Sequence, residues 1–395
     1  MSTRTLRSTP GPAAQQDALH VVQIATPWFE VPPAGYGGIE AVVAGVVDAL
    51  VDRGHRVTLI GAGRHGTKGD FLATTLHPQG PRVGQANPEV LHAARAGHLL
   101  TGLGADIVHD HSTAGPLQAA QRAAPTVVTA HGPVTGEIGD YYGAIGNQTH
   151  LVAISAAQQR QAPTLPWVGL VHNAVDTGAY PWRSQKEDFA LFLGRFSPEK
   201  GVHLAIDAAE RAGVRLVLAG AAHPAEKEYF DRQIGPRLSS RVVWVGEVGG
   251  AEKRDLLARA SCLLFPVQWE EPFGMVLIEA MASGTPVVAL RRGSVPEVVE
   301  DGVTGFVRDD LDGLVAGLRE IQRLDPSIVR ARTVLRFDVK AMAAGYEAVY
   351  RRVLVDAGRT EVVDLRKTSS ARGATYVKRL LTPARLADDA VPWQV

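Results

Sequence analysis

The feature that most constrains this chain is an alternation. Short apolar, β-branched segments take turns with helical patterns from residue 20 to residue 289. Strands are expected at 20–25, 56–60, 106–109, 126–129, 151–154 and 168–171, then at 189–193, 215–219, 242–245, 261–265 and 286–289. Helices are expected between them at 39–52, 88–103, 155–161, 200–212, 225–234, 251–260 and 274–282. Strands joined through helices lie parallel in a sheet, with the helices covering both faces. These strands are too many for one comfortable open sheet. A polar, turn-rich stretch, NAVDTGAYPWRSQKED, interrupts the series at 173–188. The expected fold class is α/β, with two Rossmann-like, doubly wound parallel-sheet domains divided near Asp176. Such a pair faces across a deep cleft between the carboxyl ends of its sheets, where ligands bind.

A last amphipathic helix is expected over 339–356, where Met342, Tyr346, Val349, Tyr350 and Val353 recur at three and four residues. Residues 1–17 read as a disordered leader without the apolar stretch of a signal peptide. Residues 357–395 carry seven Lys/Arg against four Asp/Glu and read as a basic, loosely ordered tail. Apolar residues make up 45% of the 395, enough for large cores. The formal net charge is zero, which argues against a general nucleic-acid binder. Residues 1–176 hold 10 Lys/Arg and 12 Asp/Glu, so no basic patch there would hold an anionic membrane, and the apolar runs are too short to span one. Cys262 is the single cysteine, compatible with a reducing cytoplasm and with neither a disulfide framework nor a zinc cluster.

Two stretches point to an anion. After the first strand comes PWFEVPPAGYGGIEAVV, with Gly35, Gly37 and Gly38 just ahead of a helix. Backbone N–H groups at such a junction can hold a phosphate, although the spacing is neither a dinucleotide fingerprint nor a P-loop. The second half opens with ALFLGRFSPEKG. Ser197 and Pro198 read as a helix start, which puts Arg195 at the strand end and Lys200 in the first helical turn. Two cations at a positive helix end want an anion between them, and a diphosphate would fit. Otherwise Lys200 pairs with Glu199 or points to water.

A third stretch, WEEPFGMVLIEAMASGTPVVAL, places Glu271 in the loop after a strand and Glu279 inside the following helix. Glu270 reads as the solvent-facing member of its pair. Carboxylates beside a phosphate site accept hydrogen bonds from hydroxyls, and the N–H groups of Phe273, Gly274 and Met275 start a helix at the same place. A diphosphate flanked by hydroxyl-bearing groups describes a nucleotide-sugar.

Together, EPFGMVLIE (E-x7-E), GRFSPEKG, YGGIE and VPEVVEDGVTGFV resemble the retaining nucleotide-sugar glycosyltransferases of family 4, which have the GT-B fold. The resemblance covers about residues 20–355. It implies an acceptor-side domain at 18–176, a nucleotide-sugar-binding domain at 177–338 and a crossover helix at 339–356 that returns to the first domain. By the same resemblance Glu271 holds hydroxyls of the transferred sugar, Glu279 the ribose, and Arg195 and Lys200 the diphosphate. Gly37 and Gly38 lie opposite, Val248 beside the nucleobase, and His131 beside the donor sugar. The implied reaction is retaining transfer of a hexosyl group from a nucleoside-diphosphate sugar, UDP-glucose ahead of GDP-mannose, to an acceptor hydroxyl.

The segment IVHDHSTAG sets His109 and His111 on one face of a strand with Asp110 between them. A metal site is the tempting reading, but no third strong ligand is evident and the resemblance implies no metal. Asp110 and His111 are kept as acceptor-side candidates. No cofactor is called for, since a pyridoxal group would need a dedicated lysine. The open alternatives are a sugar-nucleotide epimerase, a phosphorylase-like enzyme on the same plan, or a non-catalytic nucleotide-sugar-binding module. A soluble acceptor is expected ahead of a lipid.

Overall fold

The computed structural model describes residues 18–35, 37–221 and 224–358. The leader at 1–17, and the tail from 359 onward, lie outside the described residues. The first half runs β1 (His20–Ile24), α1 (Gly38–Asp52), β2 (Arg56–Ala62), β3 (Asp70–Thr75), α2 (Ala86–Leu100), β4 (Ile107–Asp110), β5 (Thr126–Ala130), α3 (Glu137–Ile145), β6 (His150–Ala153), α4 (Ala156–Gln161) and β7 (Trp167–Leu170). Its seven strands form one sheet in the order β3-β2-β1-β4-β5-β6-β7. The second half runs β8 (Ala190–Leu193), α5 (Val202–Ala212), β9 (Leu216–Ala219), β10 (Val242–Trp244), α6 (Gly250–Arg259), β11 (Cys262–Phe265), α7 (Met275–Ala282), β12 (Val287–Leu290), α8 (Val295–Val298), β13 (Gly305–Arg308), α9 (Leu311–Glu320), α10 (Pro326–Phe337) and α11 (Val339–Asp356). Its six strands are ordered β10-β9-β8-β11-β12-β13. All pairs within both sheets are parallel.

In each sheet the strand order reverses once, between β1 and β4 and between β8 and β11. The connections on either side of a reversal leave by opposite faces and open a crevice at the carboxyl ends. Alternation along the strands divides the first sheet's core in two. Val21, Val127 and Val152 pack toward α1 and α11, whereas Val22, Ile24 and Val108 pack toward α2. The stripe expected on the last helix is present: Met342, Tyr346, Val349, Tyr350 and Val353 are all buried against the first sheet. The chain returns there through Asp338, which caps α11 and lies beside Val175.

Several expectations need correction. β3 and β13 were not expected, and both are edge strands. β3 is partly exposed and so carries a weak apolar signal, whereas β13 is buried but only four residues long, GFVR. The segment 225–234 is not one helix but a series of short turns, wound where Phe230 packs against Phe196 and Trp244. Lys200 does not lie in a helical first turn. Pro198–Lys200 is a short 3-10 turn without a side-chain cap from Ser197, and α5 begins only at Val202. Gly201 separates the two with φ 72°, and a Cβ there would stand 2.1 Å from the Pro266 carbonyl oxygen. No helix among the described residues is long and apolar enough to cross a membrane.

Candidate active site

The loops at the two reversals meet across two adjoining cavities. The smaller, about 400 Å³, is lined from the first sheet by Trp28, Gly37, Gly38 and His131, and from the second by Glu271, Phe273, Gly274 and Met275. The larger, about 1080 Å³, shares Gly37, Gly38 and Met275 and reaches Glu279, Tyr180 and Lys253.

The glycine loop owes its shape to Gly37, with φ 146°, which would set any Cβ 2.8 Å from the ring of Pro33. It leads into α1, where Glu40 is buried and accepts a hydrogen bond from the Thr26 hydroxyl. Burial raises the Glu40 pKa against the hydrogen bonds that would lower it.

On the opposite wall the carboxylates are already matched to cations. Lys200 Nζ lies 2.7 Å from Glu271 Oε2, over the Trp269 ring. The Trp269 indole donates to the same oxygen at 3.1 Å. Lys253 Nζ lies 2.7 Å from Glu279 Oε1, which also accepts from the Tyr180 hydroxyl at 3.1 Å. Burial and that carboxylate hold the Tyr180 pKa well above its ordinary value. Both glutamates are mostly buried, with side chains 11% and 12% exposed, so each cation offsets a desolvation cost. Glu270 is exposed and accepts from the Gly293 N–H, consistent with its solvent-facing reading. Arg195 stands farther out, with its side chain 47% exposed, paired with Glu199 at 2.5 Å. Glu199, rather than Lys200's counter-ion, is thus the partner of Arg195. Val248 lies in the loop before α6 and packs against the second core. Phe273 is buried, Gly274 is the residue preceding α7, and Met275 is its first residue.

The histidines behave differently. His109 is fully buried, with its ring nitrogens 2.7 Å from the Tyr350 hydroxyl and 2.8 Å from Thr129 Oγ1. His111 lies between Gln23 and His131, at 2.8 Å from each. Only His131 lines the pocket. Burial lowers its pKa to about 4, and lowers those of His109 and His111 well below the ordinary range. All three rings are neutral at pH 7.

Asp110 is a correction. The strand alternation that pairs His109 with His111 turns Asp110 to the other face, away from the cleft. There it is fully buried, 2.8 Å from the Arg122 guanidinium, and accepts from the Ser112 hydroxyl at 2.7 Å. His111 reaches the pocket only through His131. No group of three potential metal ligands is found among the described residues.

The arrangement is a cleft with basic and acidic groups on one wall and a glycine loop and neutral imidazole on the other. Comparisons with known proteins bear on the family and the fold. A profile for "Glycosyltransferase Family 4" matches residues 36–179, and one for "Glycosyl transferases group 1" matches residues 181–327. The chain is 30% identical to an alpha-maltose-1-phosphate synthase of Mycobacterium tuberculosis, over 82% of this chain and 97% of that protein. The chain belongs to the family 4 glycosyltransferases. A glycogen synthase of the same organism is 27% identical over 82% of this glycosyltransferase and 92% of its own length. The crystal structure of AviGT4, a glycosyltransferase involved in avilamycin A biosynthesis, superposes with a TM-score of 0.67 at 29% identity. That match covers 85% of this chain and 98% of AviGT4. The fold of the glycosyltransferase is accordingly GT-B.

Some residues of this glycosyltransferase site escaped sequence reasoning. Lys253 lies on a polar helix with nothing to distinguish it. Tyr180 and Asn173 fall in the turn-rich stretch read as the break between the two domains. Asn173 lines the smaller cavity, and its buried side-chain oxygen has no partner among the described residues. Trp269 heads the glutamate stretch, and its indole nitrogen was the available signal.

Proposed function

We propose that this glycosyltransferase transfers a hexosyl group from a nucleoside-diphosphate sugar to an acceptor hydroxyl, with retention of anomeric configuration and without a metal. The observation that carries this reading is the pairing of Glu271 with Lys200 and Glu279 with Lys253 across from His131 and the Gly37–Gly38 loop. In this reading Arg195, Lys200 and the Gly37–Gly38 loop take the diphosphate, where negative charge grows as the glycosidic bond breaks. Glu271 accepts hydrogen bonds from hydroxyls of the transferred sugar, with Lys200 fixing its position. Glu279 takes the ribose hydroxyls and Val248 lies beside the base. The N–H groups at Phe273, Gly274 and Met275 face an oxygen of the donor. His131 touches the sugar as a neutral imidazole. It is therefore a hydrogen-bonding group rather than a cation near the reacting carbon. UDP-glucose and GDP-mannose are the first donors to try, and the acceptor is soluble.

The test is a thermal-shift screen with UDP, GDP, ADP and their sugar conjugates, with and without EDTA. A ligand of the folded state raises Tm by mass action. The expected result is a shift with one nucleotide, indifferent to EDTA, lost in Glu279→Ala and reduced in Arg195→Ala. No shift at millimolar nucleotide would overturn the donor site.

A further inference from the structure

An unbroken chain of hydrogen-bonded side chains, buried as far as His111, joins helix α11 to the pocket. It starts at the Tyr346 hydroxyl, 2.9 Å from Thr129 Oγ1, which lies 2.8 Å from His109 Nε2. His109 Nδ1 is 2.7 Å from the Tyr350 hydroxyl, and that hydroxyl accepts from Gln23 Nε2 at 3.1 Å. Gln23 Oε1 is 2.8 Å from His111 Nε2, and His111 Nδ1 is 2.8 Å from His131 Nε2. The register places Gln23 directly beside His109 on β1 and β4, so both turn toward α11.

The chain dictates where protons sit. An amide oxygen only accepts, so His111 carries its hydrogen on Nε2. Burial keeps His111 neutral, which leaves Nδ1 as a lone pair. His131 must then donate to it from Nε2. In a neutral ring the other nitrogen, Nδ1, bears no hydrogen. It has no hydrogen-bond partner among the described residues, and His131 lines the pocket. The amide of Gln23 is itself held by the Tyr350 hydroxyl. Turning that amide over would reverse the links beyond it and make Nδ1 of His131 a donor.

We infer that Gln23 and Tyr350 are positioning residues: acting through His111, they hold His131 in the Nε2–H tautomer, so that its Nδ1 meets the substrate as a hydrogen-bond acceptor. The inference rests on the proposed reading of His131 as a group beside the donor sugar. A hydroxyl-bearing ligand then donates to His131, and a ligand offering only an acceptor there is repelled.

The test uses the full chain labelled with ¹⁵N-histidine, and ¹H–¹⁵N long-range correlation at pH 7 to read each ring's tautomer. His131 and His111 are assigned from His131→Gln and His111→Gln. The wild-type protein is expected to show Nε2–H for both rings. In Gln23→Leu, His111 loses its acceptor, and His131 is expected to change to Nδ1–H. In Tyr350→Phe the amide is released, and both tautomers of His131 are expected. With the donor that the thermal-shift screen selects, kcat in Gln23→Leu should fall roughly tenfold, with donor KM changing far less. An Nδ1–H tautomer in the wild type overturns the inference. So does an unchanged His131 tautomer in both folded variants, even if activity falls. The tautomer readout needs no nucleotide-sugar. A protein that binds none would sink the proposed function and leave this result readable.

Discussion

The two walls of the cleft solve the same problem by opposite means. Both bury polar side chains that would be costly without partners. The second sheet's wall keeps its groups charged and sets each carboxylate against a lysine, Glu271 with Lys200 and Glu279 with Lys253. Around His131 the first sheet's wall uses neutral groups instead, three histidines linked to one another and to Tyr350, Gln23 and Thr129. The difference teaches where charge is tolerated. Ion pairs can be re-partnered by an anionic ligand, as the proposed donor site requires. A neutral chain cannot follow a changing charge, but it can hold one proton arrangement.

The largest effect is expected at Asp110, the charged group embedded behind the histidines. Asp110→Ala leaves Arg122 buried and unpaired, which should cost about 3–5 kcal/mol of stability. Urea unfolding would measure it, and kcat/KM of the remaining folded enzyme should change little. A large loss of activity at unchanged stability would return Asp110 to the cleft.

On the charged wall, Glu271→Gln should lower kcat/KM by roughly a hundredfold to a thousandfold, by analogy with losing one transition-state contact. Steady-state kinetics checks this. A change below tenfold would mean that Glu271 serves chiefly to neutralise Lys200.

The neutral wall should reveal itself through pH. His109, His111 and His131 have pKa values lowered by burial, that of His131 to about 4. The unfolded chain takes up these protons as pH falls below about 6.5, and the folded chain does not. Stability must therefore fall from pH 7 toward pH 4, by up to about 1.4 kcal/mol per pH unit for each ring. Tm measured between pH 7.5 and 5 should drop accordingly, and less steeply in His131→Gln. A flat Tm profile would mean that these rings are not held neutral.

The smallest effect is expected at Arg195, whose side chain is half exposed and paired with Glu199. Arg195→Ala should raise donor KM by roughly tenfold at low salt, with the difference shrinking as salt screens the contact. A salt-independent loss would place Arg195 deeper in the site than its exposure implies.

Much of this was legible in the residues. The strand–helix alternation foretold two parallel sheets, because a buried parallel strand must be apolar throughout. It missed β3, an edge strand that is only partly enclosed, and β13, a buried edge strand of just four residues. The glutamate stretch located Glu271 and Glu279 beside a helix start, since their spacing is local. The same reasoning misplaced Lys200 by a turn, because it did not foresee that close packing against Pro266 would require Gly201 to break the helix.

By itself, then, the sequence determined the class of fold, the carboxyl-end loops that carry polar groups, and the apolar stripe of the last helix. These depend on periodicity and on neighbours a few residues away. Tertiary structure decided which polar groups face the cleft. It set Lys253 on Glu279 and brought Tyr350 to Gln23, 327 residues distant. Partners that far apart meet only once both faces of a sheet are covered, and neither residue carries any local mark of the other.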